Sequence, residues 1–130
     1  MKRFLLIILI LCSGIYSQAF HGTFTDYRHP DRNLYLYDFI DLAGQPVDSC
    51  SVDPQEKFSF TDREYDPGLY QLRGAKIRPL YFILNHQEDE VDVEISKNGN
   101  KQELLILKSK ENQAYQKYFH NLILYKGREI

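Results

Sequence analysis

Between Pro67 and Ile95 the chain carries three short apolar pulses, each bounded by turn-forming residues. Pro67-Gly68 leads into Leu69-Tyr70-Gln71-Leu72. A basic loop then precedes Leu80-Tyr81-Phe82-Ile83-Leu84, and a polar turn precedes Val91-Asp92-Val93-Glu94-Ile95. Short runs rich in β-branched and aromatic residues, punctuated this way, predict consecutive strands. The last run alternates strictly, with Val91, Val93 and Ile95 on one face and Asp92 and Glu94 on the other, so that strand should be half buried.

The rest of the chain extends the same pattern. Phe20 to Thr25 alternates with Phe20, Gly22 and Phe24 on one face. Leu34 to Ile40 is a second strand, Val47 to Val52 a weaker third, and Lys57 to Phe60 a short fourth with Phe58 and Phe60 pointing inward. Asn98-Gly99 stands between Val91–Ile95 and Leu104–Leu107. Asn-Gly favours a type I′ hairpin turn, because both central positions need positive φ. After Lys108 the period changes. Ser109 suits an N-cap, Glu111 falls in the first turn where the helix dipole favours it, and Ala114, Tyr115, Tyr118, Phe119 and Leu122 recur at helical spacing. About eight short strands followed by one helix from about Lys110 to Tyr125 predict a mainly β fold, an antiparallel sandwich with a C-terminal helix.

The first residues read differently. Lys2 and Arg3 precede an unbroken apolar run from Phe4 to Leu11, and small residues follow at Ser13, Gly14, Ser17 and Ala19. This is the layout of a secretory signal peptide, with cleavage after Ser17 or after Ala19. The run is short of the roughly 20 residues of a membrane span, so no integral span is expected in the mature chain. A lipoprotein signal using Cys12 is disfavoured by Leu11, which stands where such signals carry a small residue. The expected organisation is a signal peptide over 1–19, a β-sandwich over 20–108 and a helix over 109–126, packed on the sandwich or leading to a linker. The expected location is outside the cytoplasm, in the periplasm or cell envelope.

Charge and cysteine usage narrow the function classes. The formal charge is −2 over the whole chain and becomes more negative once Lys2 and Arg3 are removed. A mildly acidic domain without a basic tract is poorly suited to nucleic acid or to an anionic membrane surface. Of the two cysteines, Cys12 leaves with the signal, so Cys50 has no internal partner and no Cys-x-x-Cys pair exists. Its alternation with Val52 places it inward as a small hydrophobe.

No constellation of catalytic residues stands out. His21, His29, His86 and His120 make no metal-ligand spacing with one another or with acids, so no metal or cofactor is expected. The acidic run Glu88 to Glu94 lacks the glycine turn and spacing of a calcium loop and reads as a solvated strand face. There is no Gly-x-Ser-x-Gly elbow and no phosphate-cradling glycine loop. The more informative feature is Tyr35, Tyr37 and Phe39 on one face of the second strand, opposite Leu34, Leu36 and Ile40. Tyrosine offers a large apolar surface with a polar tip, so this stripe is either a platform for glycan or peptide, or the bed on which the helix packs. On the helix, Ile123, Leu124 and Tyr125 widen the apolar face beyond one stripe. They form a candidate patch for a protein partner or a second copy, unless the sandwich wraps the helix on two sides.

In order and spacing these segments resemble a family. The features are the export signal ending Tyr16-Ser17-Gln18, Gly22-Thr23-Phe24, Leu34-Tyr35-Leu36-Tyr37-Asp38 with Gly44 after it, and Val52-Asp53 leading to Phe58-Ser59-Phe60. They continue with Pro67-Gly68-Leu69-Tyr70-Gln71-Leu72, Phe82-Ile83-Leu84-Asn85, and Ser109-Lys110-Glu111-Asn112-Gln113-Ala114-Tyr115. Together they look like the β-domain of unknown function at the N-terminus of envelope thioredoxin-like proteins, relatives of the TlpA and ResA thiol-disulfide oxidoreductases. The resemblance implies an exported, non-catalytic accessory or interaction domain. In such proteins a thioredoxin domain with Cys-x-x-Cys follows the helix, and this sequence has no counterpart to it. The resemblance therefore implies a free-standing accessory domain, a truncated product, or a chain deliberately cut short; the export signal argues against the last.

Overall fold

The computed structural model describes residues 18–60, 65–75, 77–85, 88–98 and 101–128, with side chains at 98 and 120–128 outside that description. Eight strands form two four-stranded sheets, and one helix follows. The strands are β1 (Ala19–Thr25), β2 (Asn33–Asp38), β3 (Asp48–Ser51), β4 (Lys57–Ser59), β5 (Gly68–Gly74), β6 (Ile77–Leu84), β7 (Glu90–Asn98) and β8 (Lys101–Lys108), and the helix is α1 (Lys110–Arg128). One sheet runs β4-β1-β7-β8 and the other β3-β2-β5-β6. Every expected strand is present. The departure is that β1 and β7 pair in parallel, so the first sheet is mixed and not wholly antiparallel.

Alternation along each strand explains the core. Phe20 and Phe24 on β1, Phe58 on β4, Val91, Val93 and Ile95 on β7, and Ile106 on β8 are buried from one side. Leu34 and Leu36 on β2, Tyr70 and Leu72 on β5, and Phe82 and Leu84 on β6 meet them from the other. Phe20 joins the layers, with its ring centroid 4.8 Å from Phe82 across the gap and 5.4 Å from Phe60. Gly22 has a packing reason of its own. A Cβ there would lie 2.6 Å from the Val93 carbonyl and 2.8 Å from the Phe58 ring, so the bare backbone makes room for that ring.

Several boundaries shift for physical reasons. β1 begins at Ala19, whose N–H donates to the Asp89 carbonyl, and the buried Gln18 accepts from the Asn85 N–H through Oε1. Both residues therefore contribute to the fold ahead of the expected start at Phe20. The second strand stops at Asp38, two residues early. Asp38 caps a 3-10 turn over Phe39–Asp41, its carboxylate accepting from the Ile40 N–H. Ile40, expected on the same face as Leu34 and Leu36, is consequently 89% exposed while those two are buried. In the hairpin, Asn98 pairs with Lys101 as part of the ladder. The rest of the expected Asn98-Gly99 turn lies outside the described residues.

The helix closes the open side between the edge strands β6 and β8. Ser109 Oγ caps it, accepting from the Asn112 N–H, while Glu88 accepts from the Ser109 hydroxyl and the Glu111 N–H. Glu88 is therefore a capping carboxylate, which suits the positive end of the helix dipole. Asn112 exchanges two hydrogen bonds with the Ile83 backbone on β6, and Gln113 and Gln116 donate to the Ile106 and Leu104 carbonyls on β8. Gln102 of β8 does the same to the Arg78 backbone of β6. Edge strands carry unpaired backbone groups that invite aggregation, and here four carboxamides occupy them. Among the described residues no helix is long and apolar enough to cross a membrane.

Candidate functional site: the aromatic outer face of the second sheet

The alternation that buries Leu34 and Leu36 turns Tyr35 and Tyr37 to the outer face of the β3-β2-β5-β6 sheet. Antiparallel register sets Tyr35 opposite Arg73 and Tyr37 opposite Gln71, and Gln71 in turn opposite Tyr81. The Arg73 guanidinium carbon sits 3.9 Å from the Tyr37 ring centroid, a close cation–π contact. Arg73 also donates to the Gln71 carboxamide oxygen and, at 2.9 Å, to the Leu42 carbonyl beyond the 3-10 turn. Gln71 is buried and donates to the Tyr81 hydroxyl at 2.9 Å. The Tyr81 hydroxyl, the Gln71 carboxamide and the Arg73 guanidinium are thereby held in place.

Phe39 reaches the same face from the 3-10 turn, edge-on to Tyr81 at 6.0 Å. Tyr35, Phe39 and Tyr81 remain 37%, 45% and 36% exposed. A cavity of about 240 Å³ is framed by Phe39, Leu69, Tyr81, Tyr115 and Phe119, where the helix overhangs the end of the face. Tyr115 and Phe119 stack on each other, 6.0 Å apart. A groove of about 340 Å³ adjoins it, sharing Tyr81, Tyr115 and Phe119 and running along Leu80, Leu104 and Ile106.

The two expected roles of the tyrosine stripe separate at this point. The helix packs on β6, and the helix residues that border the stripe, Tyr115 and Phe119, do so at its Phe39 end. Tyr37 takes Arg73 as its ring partner, and Tyr35 stays open. Tyr118, expected to pack inward, is 65% exposed. The candidate partner patch of Ile123, Leu124 and Tyr125 lies outside the residues whose side chains are described, as do His86 and the His120 side chain.

Cys50 faces the core and is partly buried against it. Burial, followed by the Asp48 carboxylate, pushes its thiol up to about 12 from an ordinary 9.0. The thiolate is the reactive form, and three pH units make it about a thousandfold scarcer at any pH below both values. A thiolate of higher pKa is also more nucleophilic, which offsets part of that scarcity, so folded protein at pH 8 should react with 5,5′-dithiobis(2-nitrobenzoate) at least tenfold more slowly than the same protein in denaturant. Equal rates would place the thiol in solvent.

A second polar constellation occupies the outer face of the first sheet. The parallel register sets His21 beside Asp92 and Ala19 beside Glu90. The imidazole consequently stands between two carboxylates, Nε2 at 2.7 Å from Glu90 Oε1 and Nδ1 at 3.4 Å from Asp92 Oδ1. Lys108 lies 3.4 Å from the other Glu90 oxygen. The His21 hydrogen bond, with Lys108 adding to it, holds the Glu90 carboxyl below the usual range. Histidine spacing in the sequence gave no sign of this group, because β1 and β7 are brought together only by the fold.

No family model, curated protein or solved structure matches this chain.

Proposed function

We propose that this chain is a non-catalytic binding module whose working surface is the aromatic outer face of the second sheet, and that it holds an extended neutral glycan. The observation that carries the reading is the open set Tyr35, Phe39 and Tyr81 beside the Arg73 guanidinium, with the buried Gln71 bonded to both Arg73 and the Tyr81 hydroxyl. Aromatic rings present flat apolar surface to the C–H face of a sugar ring, and rigid donors beside them orient hydroxyls. Preorganisation matters because ordering flexible groups on binding opposes affinity. The high Cys50 pKa supports the non-catalytic part by leaving the thiol inert. The resemblance to the accessory domain of TlpA- and ResA-type oxidoreductases supports export to the cell envelope, where glycans are abundant.

Calorimetric titration with soluble cello- and chito-oligosaccharides tests the reading. Phe39→Ala and Tyr35→Ala should each weaken binding at least tenfold, about 1.4 kcal/mol. Both side chains are exposed enough that melting should shift by only about 2 °C. Saturable binding of peptides with no response to any saccharide would replace the glycan by a peptide ligand. Substitutions that lower stability without altering capture would remove the face from function altogether.

A further inference from the structure

The geometry points to a binding site for a divalent transition-metal ion, of the zinc type, formed by His21, Glu90 and Asp92 on the outer face of the β4-β1-β7-β8 sheet. This site lies on the opposite side of the sandwich from the aromatic face and does not depend on the glycan reading.

Three independent features converge. The first is position. His21 on β1 and Asp92 on β7 are direct cross-strand partners, and Glu90 precedes Asp92 by two residues, so all three side chains leave the same face of a rigid two-strand ladder. Sites built on strands hold geometry better than sites on loops. The second is spacing. One ligand atom from each residue lies within 4.8 Å of the others. A tetrahedral ion with bonds of roughly 2.1 Å needs ligand atoms about 3.4 Å apart. The separation of His21 Nδ1 and Asp92 Oδ1 is already 3.4 Å, which is long for a hydrogen bond. Glu90 Oε1 stands on the other ring nitrogen, Nε2, so its side chain, one-third exposed, joins the ion by exchanging that hydrogen bond for the metal.

The third feature is room and charge. A basin of about 650 Å³ opens beside the cluster, bordered by Thr23, Ser51, Asp53, Lys57 and Ser59. It leaves space for water or a small anion at the remaining coordination position, which a closed salt bridge would not need. Two carboxylates balance the charge of a divalent ion, and a neutral imidazole adds none. The donor set of one nitrogen and two oxygens selects the metal class. Magnesium and calcium prefer oxygen throughout, whereas zinc and its neighbours accept imidazole readily. Lys108, at 3.4 Å from Glu90 Oε2, is an exposed partner on the other oxygen of that carboxylate.

Titration of metal-free full-length chain with zinc chloride tests the site, read by calorimetry and by the imidazole resonances in NMR. One equivalent should bind with a dissociation constant in the micromolar range, shifting the His21 ring signals, and millimolar magnesium or calcium should not displace it. His21→Asn and Asp92→Asn should each weaken binding at least tenfold, while His29→Asn, in an exposed loop, should leave it unchanged. Asp92→Asn keeps the test decisive should His21→Asn fold poorly. Absence of saturable binding, or zinc affinity unaffected by both substitutions, would reduce the cluster to an ion pair and overturn the site.

Discussion

Phe20→Ala is expected to destabilise the domain by about 3–5 kcal/mol, with a fall in melting temperature on the order of 20 °C. Phe20 is fully buried and touches rings from both layers, Phe58 and Phe60 on its own side and Phe82 across the gap. Truncation therefore removes a side chain and leaves a cavity that neither sheet can close without moving away from its hydrogen-bonded neighbours. A domain of this size is typically stable by only 5–15 kcal/mol, so the variant should stand near the limit of folding. Urea denaturation gives the number through the midpoint, with an unchanged slope as the sign that the native state is still compact. A loss below about 1 kcal/mol would mean that the two sheets do not share a core through this residue.

How much of this was legible in the sequence depends on the range of the interaction. Strands announced themselves, because alternation such as Val91, Val93, Ile95 is a local consequence of a pleated, half-buried backbone. The Ser109 cap was legible for the same reason, its partner being Asn112 three residues on. What stayed hidden required register between distant segments. Nothing local to His21 announces Glu90 and Asp92, since only the parallel pairing of β1 with β7 brings them together. Glu88 looked like part of a solvated acidic face, yet it caps a helix that starts more than twenty residues later.

The aromatic face divides along the same line. Tyr35 and Tyr37 could be placed opposite Leu34 and Leu36 from alternation alone. Arg73, Gln71 and Tyr81, which fix the polar side of that face, come from other strands and are invisible without the register of β2 with β5 and β5 with β6. Ile40 was misplaced because the apolar run continues past the strand. A single carboxylate, Asp38, captures the Ile40 N–H and turns the chain out of the sheet, and hydrophobic periodicity does not register that competition.

Asn112→Leu is expected to destabilise by about 3 kcal/mol and to strip protection from the Ile83 amide, although leucine matches asparagine in heavy-atom count and branching. Asn112 is only 2% exposed. Its Oδ1 accepts from the Ile83 N–H at 2.7 Å and its Nδ2 donates to the Ile83 carbonyl at 2.8 Å, so the carboxamide stands where a neighbouring strand would pair with β6. Leucine offers neither partner, and each buried backbone group left without one costs about 1–3 kcal/mol. Recovered apolar burial offsets only part of that loss. The cap suffers too, because Nδ2 also donates to Ser109 Oγ at 2.9 Å. Gln116→Ala makes the contrast, since its one bond to the Leu104 carbonyl is solvent-exposed and replaceable by water, and it should lose less than about 1 kcal/mol. Hydrogen exchange separates the local effect from the global one. In Asn112→Leu the Ile83 amide should exchange at least tenfold faster than core amides such as Leu72, whereas in Gln116→Ala the two should keep their native ratio. Unchanged Ile83 protection in the leucine variant would show that the helix, not this carboxamide, seals the edge of the sheet.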